Sequence, residues 1–106
     1  MLNQVILVGR LVRDIELKNG ENEGKYAILE LAIPRSFKNS EGCYDTDFVK
    51  VKIFDSVATN TKEYCRKGDL VGVKGRIQAE KVDDNYIINI MGEKITFLSS
   101  SKGGNE

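Results

Sequence analysis

Hydrophobic and polar positions alternate along most of this chain, and a period of two is the mark of strands. Residues 5–11 form a short apolar run, read as a buried or pairing strand, with Gly9 marking a bulge or a close backbone approach. Lys18-Asn19-Gly20-Glu21-Asn22-Glu23-Gly24 is polar and glycine-rich and reads as a turn. Residues 26–33 give a second strand, with Ala27, Leu29, Leu31 and Ile33 on one face and Ile28, Glu30 and Ala32 on the other. Pro34, the single proline, is expected to end or edge it. Lys38-Asn39-Ser40-Glu41-Gly42 reads as a hairpin tip, and residues 46–54 as a third strand.

The period then changes. Val57, Thr61, Tyr64 and Cys65 share one helical stripe, with Ser56 as the expected N-cap, Arg66 and Lys67 in the last turn and Gly68 as the C-cap. Alternation returns over residues 70–79, with Val71, Val73, Gly75 and Ile77 on one face and Lys74, Arg76 and Gln78 on the other. Asp83-Asp84-Asn85 is a turn, and residues 86–91 and 94–98 form a final strand or strand pair. Residues 99–106 are polar and rich in Gly and Ser and are expected to be a disordered tail after a single domain over 1–98. Three strands, one helix and two strands is the layout of an all-β, five-stranded OB-fold barrel with one helix between the third and fourth strands. An α/β sheet does not fit, because helices do not alternate with strands.

The third strand is the most informative. Val49, Val51 and Ile53 suit a core, whereas Phe48, Lys50, Lys52 and Phe54 occupy the opposite face. Single-stranded nucleic acid uses both components of that face: rings stack its bases and cations hold its phosphates. The plain structural alternative packs the two rings under loops or in a subunit contact and leaves the lysines solvated.

Composition narrows the classes. The chain has 106 residues, with 41% hydrophobic and 30% charged, which suits one soluble globular domain. No apolar run reaches the roughly 20 residues of a membrane helix, and the first residues lack a secretory pattern, so a cytoplasmic protein is expected. Net charge is zero, which argues against a generic polyanion binder. The middle of the chain, residues 34–81, has 10 basic and 7 acidic side chains, so a mild positive excess surrounds the third strand. Cys43 and Cys65 read as free thiols. There is no histidine and no Cys-x-x-Cys pair, so neither a catalytic base of the commonest kind nor a zinc site is expected. Gly72-Val73-Lys74-Gly75 lacks the setting of a phosphate loop and reads as strand bends. Asp45, Asp47, Asp83 and Asp84 lie beside turns, where carboxylates usually satisfy backbone or face water.

Several segments resemble the bacterial and phage single-stranded DNA-binding proteins. They are Leu2-Asn3-Gln4-Val5-Ile6-Leu7-Val8-Gly9-Arg10-Leu11 with Asp14 and Glu16-Leu17; Leu31-Ala32 with Arg35-Ser36-Phe37; Thr46-Asp47-Phe48; and Val51-Lys52-Ile53-Phe54. Ala58, Tyr64-Cys65-Arg66-Lys67-Gly68-Asp69-Leu70-Val71 and Gly75-Arg76-Ile77-Gln78 complete a match over about residues 1–98. The resemblance implies an OB fold assembled as a homotetramer; the apolar strand over residues 5–11, which could add to a partner's sheet, also points to a homotetramer, with a dimer second. It implies sequence-independent binding of single-stranded DNA in replication, recombination or repair, with no catalysis and no cofactor. It also implies base stacking on Phe37, Phe48 and Phe54. Phosphate contacts are then expected from Lys50 and Lys52, with Arg35, Arg10, Arg76 and Lys81 as further candidates.

Departures from the family pattern are also visible. Glu80, Lys81 and Val82 stand where a basic residue and an aromatic are typical, and Ile15 replaces a typical proline. The final Gly103-Gly104-Asn105-Glu106 lacks the acidic, Pro-Phe-ended pattern that recruits protein partners in that family, as expected either of a shortened chain or of a tailless paralogue, and its protein partners stay open. The runner-up is an OB-fold protein-interaction module of the primosome-adaptor kind with weak DNA binding. A small OB-fold enzyme comes third.

Overall fold

The computed structural model describes residues 1–20 and 24–100. The elements in chain order are β1 (Val5–Leu11), β2 (Lys18–Asn19), β3 (Lys25–Lys38), β4 (Tyr44–Phe54), α1 (Asp55–Tyr64), β5 (Leu70–Val82) and β6 (Asn85–Ser99). Part of the turn expected over 18–24, and nearly all of the tail expected over 99–106, lie outside the described residues.

The strands close on themselves. β1 pairs antiparallel with β5 from Val5↔Gly75 to Arg10↔Leu70, and with β3 at Arg10↔Ala32 and Leu11↔Leu31. β3 and β4 form one long hairpin, β5 and β6 another, and β4 meets β6 in parallel at Val51↔Ile90 and Lys52↔Met91. The circuit β1–β5–β6–β4–β3–β1 is a five-stranded barrel, with the two-residue β2 on the margin of β3. With its single helix between β4 and β5, this is the OB architecture.

The core follows the alternation. Leu11, Ala27, Leu29, Leu31, Val51, Ile53, Val71 and Val73 are buried, and Ile15, Ala58 and Cys65 join them where α1 covers the barrel floor. The Cys65 thiol is pushed above its ordinary pKa, first by burial and then by Asp69, with Arg66 opposing. Lys62 on α1 donates to the Ile15 carbonyl at 2.9 Å, tying the helix to the segment after β1. Asp14 and Asp69 accept from the backbone of Lys67 and Arg66 at 2.8 and 2.7 Å, so these carboxylates hold the turn into β5. At the barrel wall, a Cβ on Gly75 would collide with the Met91 carbonyl. One on Gly92 would lie 2.8–2.9 Å from Ile53 and Val51. The register of β5 against β6 shifts at Lys74/Gly75, so the glycines mark the strand bend that lets the sheet curl.

Three local expectations change, and one open alternative is settled. β3 continues through Pro34, paired with Thr46, to Lys38; there the hairpin arm leaves the barrel and a proline need not be laddered on both sides. Helix α1 begins at Asp55, directly from β4, with Phe54 as N-cap and no side-chain cap; Ser56 lies inside the first turn. Cys65, not Gly68, is the C-cap, and it is extended rather than helical; Gly68 (φ 91) serves the following turn and donates to Leu11 O at 2.8 Å. The last strand is single, because residues 86–91 and 94–98 both pair with β5 across one irregularity.

Candidate nucleic-acid interface

The site is built on the outward face of β4. Alternation turns Val51 and Ile53 into the core and leaves Phe48 63% and Phe54 41% exposed, with Lys50 and Lys52 exposed between them. Side chains two apart on a strand lie ~7 Å from one another, so the row from Phe48 to Phe54 extends ~20 Å. Under this row Val51 and Ile53 are fully buried, and Val49 is partly buried against the core.

The neighbouring strands complete the surface. Ala32, Glu30, Ile28 and Tyr26 on β3 stand opposite Phe48, Lys50, Lys52 and Phe54 in turn. Tyr26 and Phe54 form a tilted ring pair at 6.3 Å, and the Lys52 ammonium lies 5.4 Å from the Tyr26 centroid and 5.7 Å from that of Phe54. Lys50 faces Glu30, whose carboxylate is also bridged by Arg13 at 3.1 Å. On the other side, Lys52 is in register with Met91, and Met91 with Arg76, so Arg76 extends the Lys52 row across β6.

The remaining candidates sit as follows. Arg10 on β1 is in register with Ala32, and so lies one strand beyond the partner of Phe48; its guanidinium donates to Gly68 O at 3.1 Å. Arg76 is engaged by Gln78 at 2.7 Å and Glu93 at 3.4 Å. Phe37 is 63% exposed on the β3–β4 arm, where Lys38 lies 6.0 Å from the Tyr44 ring centroid. Arg35, on the same arm, grips Asp47 through Nε and Nη2 at 2.9–3.3 Å and lies 3.7 Å from Asp45. That hydrogen bond holds the Asp47 carboxyl below its ordinary pKa and the Arg35 guanidinium above its own. Arg35 thus ties β3 to β4 across the arm. Lys81 pairs with Tyr86 near the tip of the β5–β6 hairpin, and residue alternation puts it on the face of that ribbon opposite Arg76. The structure therefore gathers Phe48, Lys50, Lys52, Phe54, Arg10 and Arg76 on the barrel surface, and carries Phe37 and Lys81 on its two arms.

Sequence reasoning missed three exposed or half-exposed aromatics: Tyr26 beside Phe54, and Tyr44 and Tyr86 on the two arms. The signal for Tyr26 was available, since it shares the parity of Ile28 and Glu30 on β3. Tyr44 and Tyr86 lie at strand starts beside turns, where alternation has too few residues to assign a face.

A closed OB barrel with an outward row of rings and ammonium groups defines a nucleic-acid-binding class of surface. The single-strand binding protein family matches residues 2–98, and the chain belongs to that family. It is 40% identical to a single-stranded DNA-binding protein of Halalkalibacterium halodurans, over 98% of this chain and 67% of that one. It is 38% identical to single-stranded DNA-binding protein B of Bacillus subtilis, over 92% of this chain and 91% of that one. Among solved structures, the single-stranded DNA binding protein from Thermus aquaticus superposes with a TM-score of 0.80 at 22% identity, covering 92% of this chain. That likeness is one of fold, and this chain spans half the length of the Thermus protein.

Proposed function

We propose that this protein binds single-stranded DNA with little regard to sequence and without catalysis, and that it covers strands exposed during replication, recombination or repair in the cytoplasm. The Phe48–Lys50–Lys52–Phe54 row carries the reading: two exposed rings flanking two exposed ammonium groups, on one strand of a chain in the single-strand binding protein family. Bases stack on Phe48 and Phe54, with Phe37 reaching in from the β3–β4 arm. Stacking accepts every base because every base has a π face. Lys50 and Lys52 neutralise phosphates, Arg10 and Arg76 continue the track, and Lys81 serves at the hairpin. Arg35 contributes mainly by holding the arm through Asp47. The names of the relatives favour this reading over a protein-interaction module.

The protein works as a homo-oligomer in this reading, with a homotetramer first and a dimer second. From Val5 to Gly9, β1 pairs with β5 on one side, while its pairing with β3 covers only Arg10 and Leu11. An unpaired strand edge beside the outward, exposed side chains of Ile6 and Val8 suits pairing with a second copy. Several subunits along one strand then gain avidity that one small barrel lacks.

Equilibrium titration of labelled oligo-dT, a mixed-sequence single strand and a duplex of equal length tests this, at low and moderate salt. The two single strands are expected to bind alike, to weaken with salt, and to bind at least about tenfold more tightly than the duplex, whose paired bases hide their faces. Duplex binding equal to that of the single strands would overturn the reading.

A further inference from the structure

Resting on that reading, we infer that Tyr26 supplies a further base-stacking platform, and that the cleft at the Tyr26 end of β3 and β4 holds a nucleotide of the bound strand. The DNA path then continues off Phe54 onto the margin of β2 and β3 instead of ending with β4.

Four observations converge here. The register places Tyr26 directly opposite Phe54 on the outward face, so the two rings belong to one surface. Their planes are inclined by 40° at 6.3 Å, too close and too tilted for a base to slide between them. A base therefore lies over the pair, on the open side, not inside it. Gly20 lies beside the Tyr26 ring: a Cβ added there would stand 3.4 Å from it, so the chain borders one side of the ring.

The cleft in front of the rings has a volume of about 770 Å³ and includes Lys25, Lys52, Asn19 and Asp55 in its lining. That is within the ~300–1,000 Å³ range of small-ligand pockets, and so is ample for one nucleotide. The cations are placed for its phosphate. Lys52 sits over both rings, and among the described residues no carboxylate lies within ion-pair distance of it. Lys25 is steered by Asn19, whose side-chain oxygen accepts from its ammonium at 2.9 Å. Rings, cations and an open cleft are thus brought together by three elements, β2, β3 and β4.

The test uses the absence of tryptophan: the chain has four tyrosines and no Trp, so its intrinsic emission reports on tyrosine alone. Wild type, Tyr26→Phe, Tyr26→Leu and Tyr26→Ala are titrated with oligo-dT, following both affinity and tyrosine quenching. Tyr26→Phe keeps a stacking ring without the phenol; affinity should stay within about twofold while the quench on binding shrinks. Tyr26→Leu keeps apolar bulk but loses the π face; affinity should fall about fivefold or more at unchanged thermal midpoint. Tyr26→Ala should fall at least as far. If the alanine variant is unfolded, the Phe and Leu variants still decide. Wild-type affinity in the leucine variant, or an undiminished quench in Tyr26→Phe, would overturn the inference while leaving DNA binding intact. Failure of the wild type to bind oligo-dT would instead sink the functional reading and this inference together.

Discussion

The basic residues of this surface differ in how free they are. Lys52 lies over two rings, whereas Arg35 is gripped in a two-pronged ion pair with Asp47. Exposed pairs of this kind contribute little to global stability, but they do occupy the cation. Releasing counterions from DNA requires a cation that meets phosphate, so the two positions should separate in salt titrations. Lys52→Ala is expected to weaken oligo-dT binding and to lower the slope of log affinity against log salt by about 0.7. Arg35→Ala should leave that slope nearly unchanged, and any weakening should be matched by Asp47→Ala, which loosens the same arm. Equal loss of slope in Lys52→Ala and Arg35→Ala would show that Arg35 abandons Asp47 for phosphate.

At the scale of elements, curvature depends on places where two backbones nearly touch. Gly75 lies on β5 where the register against β6 shifts, and its missing Cβ makes room for the Met91 carbonyl. Gly75→Ala should therefore cost about 1–3 kcal/mol, read as a lower urea midpoint; an unchanged midpoint would show that the bend does not need the glycine. Much of this was legible in the sequence. Alternation gave the buried Leu29, Leu31, Val51 and Ile53 and the opposite row of Phe48 to Phe54, because a strand between core and solvent must repeat every two residues. It failed where that condition lapses. Ile77 shares the parity of Val71 and Val73, yet is exposed, because the pairing of β5 with β1 ends at Gly75 and β1 no longer flanks it. The start of α1 was misplaced by two residues, Ser56 instead of Phe54 as N-cap, because the chain enters through Asp55 in a left-handed conformation (φ 52), with no side-chain cap for a propensity argument to find. Tyr26 is a mixed case: its parity with Ile28 and Glu30 shows its face, but its partner Phe54 does not, because cross-strand register is not written in either strand alone.

For the whole molecule, the two faces of the barrel have separate roles in this account. The β4 face meets DNA, and the β1 margin with Ile6 and Val8 meets other copies. Sedimentation of the wild type should give a tetramer, and Ile6→Glu/Val8→Glu should give a smaller species, since a stable interface cannot bury two carboxylates without partners. A wild type that sediments as a monomer would contradict this. Loss of assembly should also weaken binding to long strands more than to short ones, as avidity requires. The central claim is that exposed rings on β4 hold the bases, and it is tested most directly by titrating fluorescent oligo-dT with wild type and Phe48→Ala/Phe54→Ala. At ~1–3 kcal/mol per stacked base, the double variant should bind at least about 30-fold more weakly, with its fold and assembly unchanged. Equal binding by the two proteins would contradict the account and place the DNA on another face of the barrel.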